Sequence, residues 1–230
     1  YLGRYTNGSG CGNELASERP MVRKFIIDSC LHWIKDYKID GIRFDLMELL
    51  DIDTTKEIVK KTTKLDKNFL IYGEPWKGGS SPLVNGTYKG SQKNENFSIF
   101  NDTFRDAIRG NNHPSSGFIN GNQYSSICNW SIIEGLKGSI YTITSNPNES
   151  INYVDAHDNY TLWDQVEKSQ NQSIKFGEFR FNIPDYPLNS NLVKQDLLGM
   201  AIIFTAQGIP FIQSGSEFLK TKQGDHNSYK

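Results

Sequence analysis

The 230-residue chain lacks several features that would place it in large protein classes. It has no run of about 18 apolar residues, so no membrane-spanning helix is readable. Neither charge sign is in excess: 25 Lys and Arg stand against 26 Asp and Glu, a net of −1. Nucleic-acid and membrane-surface binding both draw on a basic excess to offset phosphate, so neither partner is expected. Cysteine is scarce. Cys11, Cys30 and Cys128 are odd in number and widely spaced, with no CxxC pair or His/Cys cluster for zinc. Buried or idle thiols are the expectation. The first residues show no basic stretch followed by an apolar one, so no signal peptide is read and localisation stays unassigned. Both ends read as loop, as if cut from a longer polypeptide.

What is present can build a core: 37% of residues are hydrophobic and 12% aromatic. The 21 Asn and 20 Gly favour turns, which predicts long loops around a modest regular core. Ser17-Glu18-Arg19-Pro20 reads as a helix start, with Ser17 as cap and Pro20 in the first turn. Val22, Phe25, Ile26, Cys30, Trp33 and Tyr37 follow at helical spacing. Residues 39–46 read as a short strand in which Ile42, Phe44 and Leu46 alternate with Arg43 and Asp45. A lysine-rich helix over 53–65 precedes a strand at 69–72, which ends in Gly73-Glu74-Pro75-Trp76. After a Gly-, Ser- and Asn-rich loop over 77–96, strands are expected at 97–100, 151–154 and 211–213. The most apolar helix, 191–207, precedes the last of them.

Helix and strand thus alternate, which predicts an α/β fold with a parallel sheet and helices outside it. Every strand end carries polar or acidic residues: Asp45, Glu74, Asn101-Asp102, His157-Asp158 and Ser216-Glu217. In a βα barrel those ends form the active face. No internal repeat or low-complexity linker marks a second domain, so residues 1–230 are expected to belong to one barrel domain.

Three carboxylates, Asp45, Glu74 and Asp158, stand at three strand ends. A lone Asp after a strand is most often a turn or helix cap. The joint pattern points instead to glycoside cleavage, which needs one ionised and one protonated carboxyl group. Arg43 leaves the same strand face as Asp45 and favours its ionised form. Pro75 and Trp76 offer Glu74 an apolar wall, which would keep it protonated.

DGIRFDLM (40–47), YGEPWKGG (72–79) and YVDAHDNYTLWD (153–164) resemble three segments of glycoside hydrolase family 13, the α-amylase superfamily. GCGNELASERPMVRKFIIDS (10–29), FNDTFRDAIRG (100–110) and GIPFIQSGSEFLKTKQGDHNSY (208–229) narrow the resemblance to type I pullulanase. The resemblance implies a partial (β/α)8 TIM barrel holding strands four to eight, with the first three strands and the last helix outside the chain. It also implies retaining hydrolysis of α-1,6 branch linkages in pullulan, amylopectin and limit dextrins. By the same resemblance Asp45 matches the nucleophile, Glu74 the acid/base and Asp158 the third carboxylate. Arg43 and His157 match residues that orient the nucleophile and bond the sugar, and Met47, Trp76 and Asn159 stand beside them as expected substrate contacts.

For Trp76 a sugar-stacking role is balanced against core packing, whereas Trp163 is expected in the core. His32 is expected as a plain helix-surface residue. His226, Asn227 and Tyr229 fall in a loop that lines the active-site mouth in this subfamily. The implied partners are an α-glucan and the remainder of the barrel, without which one wall of the −1 subsite is missing. No cofactor is implied, and a structural calcium is not readable, since no EF-hand-like loop occurs. The alternatives are isoamylase- or α-amylase-like specificity, and a non-catalytic glucan-binding relic. The relic is disfavoured because Arg43, Asp45, Glu74, His157 and Asp158 occur together.

Overall fold

A computed structural model describes residues 5–113, 115–171, 189–226 and 228. Asn227 and Tyr229 of the expected mouth loop lie outside the described residues. Two compact units are present: Tyr1–Phe100 with Ile143–Glu149, and Asn101–Thr142 with Ser150–Lys230.

The first unit begins with helix α1 (Pro20–Tyr37). Pro20 occupies the first helical turn, where its fixed φ suits the helix and its missing N–H costs nothing. Ser17 is not the cap. Its hydroxyl accepts from the Asp51 amide at 2.8 Å and its carbonyl accepts from the Thr54 hydroxyl at 2.9 Å, so a tertiary contact takes the expected local one's place. The buried stripe of α1 is Ile27, Cys30 and Ile34, at i, i+3 and i+7. Phe25, Trp33 and Tyr37, expected on the apolar face, remain exposed within this unit. His32 is exposed and pairs with Asp36 one turn on, at 2.6 Å.

Strand β1 (Gly41–Phe44) pairs in parallel with β2 (Leu70–Gly73), which pairs in parallel with β3 (Ser98–Phe100). Between the first two runs α2 (Ile52–Thr62), capped by Asp51, which accepts from the Thr54 amide at 3.0 Å. Ile27, Cys30 and Ile34 pack with Ile58, Ile71 and Ile99 in one core. Each such buried side chain contributes about 1.5–3 kcal/mol.

In the second unit α3 (Asp102–Arg109) leads to α4 (Ser126–Leu136), β4 (Ser150–Asn152), α5 (Leu162–Gln170), α6 (Asn191–Thr205) and β5 (Ile209–Pro210). Asn101, Ser125, Thr161 and Ser190 cap the four helices, each accepting from an amide three residues on. β4 and β5 pair in parallel over two residues. The last strand therefore lies two residues earlier than the apolar run 211–213 suggests. Phe211 still donates its amide to Asn152 at 2.8 Å, but Pro210 has no N–H and cannot extend the ladder. Phe104, Ile108, Ile132, Leu162, Val166 and Ile203 form the core. Gly135 lets α4 lie close to α3: a Cβ there would stand 1.9 Å from the Phe104 ring. Trp163 is buried, as expected. All three cysteines are free; Cys30 and Cys128 are buried and Cys11 is exposed.

Candidate active site

In the first unit the pleat sends Arg43 out of β1 in register with Tyr72 of β2. Its guanidinium binds two carboxylates. Nη1 donates to Asp45 Oδ1 and Nη2 to Glu74 Oε1, both at 2.8 Å. The Phe100 ring at the end of β3 lies under the same guanidinium, 5.5 Å from its carbon, and edges against Tyr72. An aromatic face attracts a cation and fixes its plane. Arg43 is thereby held on two sides.

Glu74 lies one residue beyond β2 and is 5% exposed. Its backbone continues the ladder, donating to the Phe44 carbonyl at 3.1 Å and accepting from the Met47 amide at 2.8 Å. Its second carboxylate oxygen accepts from the Leu46 amide at 3.0 Å. That amide points inward because Leu46 adopts φ +44, an uncommon conformation for a branched residue. The apolar wall expected from Pro75 and Trp76 therefore does not describe this carboxylate, whose two oxygens meet a guanidinium and an amide. Pro75 is buried and Trp76 half-buried. The Asp45 side chain is 64% exposed and open to an incoming molecule.

Met47 is a correction to the sequence expectation. It has no exposed surface and packs in the core with Ile71 and Ile99, so it offers no face to a substrate. A Cβ on Gly73 would stand 2.6 Å from its sulfur and 2.6 Å from the Phe44 carbonyl oxygen. Gly73 thus lets the Met47 turn close beneath Glu74.

In the second unit β4 runs into Tyr153-Val154-Asp155 and then His157-Asp158-Asn159. His157 Nε2 stands 3.6 Å from Asp158 Oδ1, and both side chains are partly exposed. Asn159 has φ +60, so its backbone makes a turn. Beneath them Asp155 is buried and accepts from the Leu162 amide at 3.1 Å and the Ser216 hydroxyl at 2.9 Å. Burial pushes its carboxyl above the usual range, against the pull of those donors. The Tyr160 ring lies 6.0 Å from His226. Asp155, Asp164 and Lys222 have no local pattern that assigns them a role from sequence, although they lie in YVDAHDNYTLWD (153–164) and GIPFIQSGSEFLKTKQGDHNSY (208–229), which carry the resemblance. No group of three or more His, Cys, Asp or Glu that could hold a metal occurs among the described residues. No described helix is long and apolar enough to cross a membrane.

Short parallel strands, flanking helices and carboxylates just past the strand ends are the parts of an α/β barrel and of its active face. No family model matches the chain. Individual proteins do. The chain is 39% identical over 238 residues to the pullulanase of Bacillus subtilis, covering 99% of this chain and 31% of that protein. It is 30% identical over 289 residues to the chloroplastic pullulanase 1 of Arabidopsis thaliana, covering 100% of this chain and 29% of that one. The solved structure of pullulanase from Bacillus acidopullulyticus superposes with a TM-score of 0.86 at 42% identity, over 98% of this chain and 26% of that chain. The maltotriose complex of pullulanase from Anoxybacillus sp. LM18-11 gives a TM-score of 0.83 at 38% identity, over 98% and 30%.

The chain is thus an α/β partial barrel that is similar over nearly its whole length to part of these pullulanases. It spans 31% of the Bacillus subtilis protein and 29% of the Arabidopsis thaliana one.

Proposed function

We propose that this chain carries the catalytic carboxylates of an α-glucan debranching hydrolase, and that residues 1–230 belong to its catalytic barrel domain. The observation that supports this most is the Arg43 bridge, which ties Asp45 and Glu74 at 2.8 Å each across neighbouring strand ends. One guanidinium spanning both carboxylates favours the short separation, about 5–5.5 Å, that retaining enzymes use over the wider spacing of inverting ones. The relatives' names supply the substrate class: they are pullulanases, and one was solved with maltotriose.

In this reading Asp45 attacks the anomeric carbon of the glucosyl unit at an α-1,6 branch. The bond to the leaving oxygen breaks, and Glu74 gives that oxygen its proton. Water then attacks the glycosyl–enzyme ester and returns a proton to Glu74, freeing Asp45. Arg43 fixes the direction of Asp45. Asp158 and His157 bind sugar hydroxyls, and Trp76 presents a ring to an apolar sugar face. Asn159 shapes the turn that carries Asp158. The partners in this reading are an α-glucan substrate and the rest of a barrel.

The test is the release of reducing ends from pullulan by the chain together with the rest of its barrel, beside the Asp45→Asn variant of the same protein. Hydrolysis that falls by orders of magnitude in the variant while glucan binding persists supports the reading. Unchanged turnover in the variant removes Asp45 from the nucleophile role.

A further inference from the structure

The turn that carries Asp158 is gripped from behind. Because Asn159 sits in the left-handed region, the carbonyls on either side of Asp158 turn toward one ammonium group. Lys222 Nζ donates to the His157 carbonyl at 2.8 Å and to the Asn159 carbonyl at 2.6 Å. The Asn159 amide closes the arrangement by donating to the His226 carbonyl at 3.1 Å.

Lys222 is itself held. Asp164, fully buried in the first turn of α5, accepts from the Thr221 hydroxyl at 2.5 Å and from the amides of Lys222 at 2.9 Å and Gly224 at 3.2 Å. One buried carboxylate thereby fixes the whole 221–224 turn. The Lys222 ammonium is part-buried, which lowers its pKa, while the carboxylates of Asp225, Asp158 and Asp164 pull the other way. His157 Nε2 stands 3.6 Å from the Asp158 carboxylate.

We propose that Lys222 is a positioning residue that locks the backbone on both sides of Asp158, with Asp164 as its anchor. Hydrogen bonds from an ammonium are stronger than neutral ones, and two to flanking carbonyls leave the residue between them little freedom. The inference rests on Asp158 acting on the substrate as proposed above.

The experiment compares Lys222→Met, Lys222→Arg and, as a neighbouring control, Lys220→Met in the full chain. Hydrogen exchange at the Asn159 amide is read first, without substrate. Lys222→Met is expected to speed it by about tenfold or more, with little change in Tm. In pullulan hydrolysis the same variant is expected to lose about 10–100-fold in kcat with KM nearly unchanged, because misaiming one group costs most in the transition state. Lys222→Arg, which keeps a cation able to donate to both carbonyls, recovers a large part of both readouts. Lys220→Met resembles the parent.

Exchange and kcat both within about twofold of the parent overturn the inference. So does a kcat loss that only tracks a fall in Tm. If Lys222→Met does not fold, Lys222→Gln is read in the same way. Asp158→Asn separates the two claims. If it leaves hydrolysis intact, or if the parent chain with the rest of its barrel cleaves no pullulan, the functional reading fails, and the exchange result still decides whether Lys222 holds the turn. If it abolishes hydrolysis while Lys222→Met changes nothing, the positioning inference alone fails.

Discussion

Arg43 and Glu74 are joined at 2.8 Å by the guanidinium that also holds Asp45. In the proposed reaction Glu74 must arrive protonated, yet both its oxygens already accept hydrogen bonds. An oxygen that takes up a proton cannot keep accepting from Arg43 or Leu46 in the same way. Substrate entry is therefore expected to loosen one of these bonds, and the Arg43 contact is the one a side-chain movement can release.

Arg43→Lys tests the bridge. A lysine ammonium cannot span two carboxylates in a fixed plane as a guanidinium does. Turnover on pullulan is expected to fall by about 10–100-fold with a small change in KM, because orientation rather than binding is lost. Steady-state kinetics with thermal unfolding as a folding control reads it.

Glu74→Gln removes the proton donor and keeps the shape. Hydrolysis of pullulan should fall by about 10²–10⁴-fold. An aryl α-maltoside with an acidic phenol as leaving group needs little proton donation. Its first step should be far less affected, which a burst of phenol release would show.

Gly73→Ala tests the packing under the acid. The added methyl would stand 2.6 Å from both the Met47 sulfur and the Phe44 carbonyl oxygen. Met47 can yield, but the carbonyl belongs to β1 and cannot. A destabilisation of about 1–3 kcal/mol, read by urea unfolding, is expected. Activity should fall further than stability alone explains, because Glu74 follows directly.

Asp196 gives the second unit a pH signature. It is 1% exposed on the inner face of α6, and neither carboxylate oxygen has a hydrogen-bond partner among the described residues. Burial, and then the nearby Asp155 charge, push it up to about 8. Its folded pKa thus lies above its unfolded value. The stability linked to its protonated form is complete below the ordinary aspartate range near pH 4 and is lost as pH rises toward about 8. Asp51 works in the opposite sense. Burial would raise it, but hydrogen bonds from Thr54 and Ser17 and the Arg23 charge bring it below the ordinary value. Its contribution is lost only on acidification below that range. Tm measured from pH 4 to 9 should fall on the alkaline side. Asp196→Asn should flatten that slope and raise Tm at pH 8 by about 3–10 °C, equivalent to about 1–3 kcal/mol.

The placing of Arg43, Asp45 and Glu74 beside one another was readable in sequence because strand residues project with period two and motifs there are contiguous. Arg43 lies in β1, Asp45 follows its end, and Glu74 follows β2 directly. Helix positions were readable from Pro20 and from apolar spacing. What failed depended on partners distant in sequence. Ser17 satisfies Asp51 and Thr54 instead of capping α1. Met47 reads as a strand-end neighbour of Asp45, but the turn at Leu46 swings it into the core. The polar setting of Glu74 needs the Leu46 amide, and the grip on Asp158 needs Lys222. Neither contact has a local pattern to announce it.

The central claim is that Asp45 forms the covalent bond to sugar. A glucosyl fluoride carrying fluorine beside the ring oxygen slows the second step more than the first and lets the ester accumulate. Peptide mass spectrometry after such treatment should find one glucosyl adduct, on Asp45, absent from Asp45→Asn. An adduct on Glu74 or Asp158, or none in a preparation that still hydrolyses pullulan, would contradict the account.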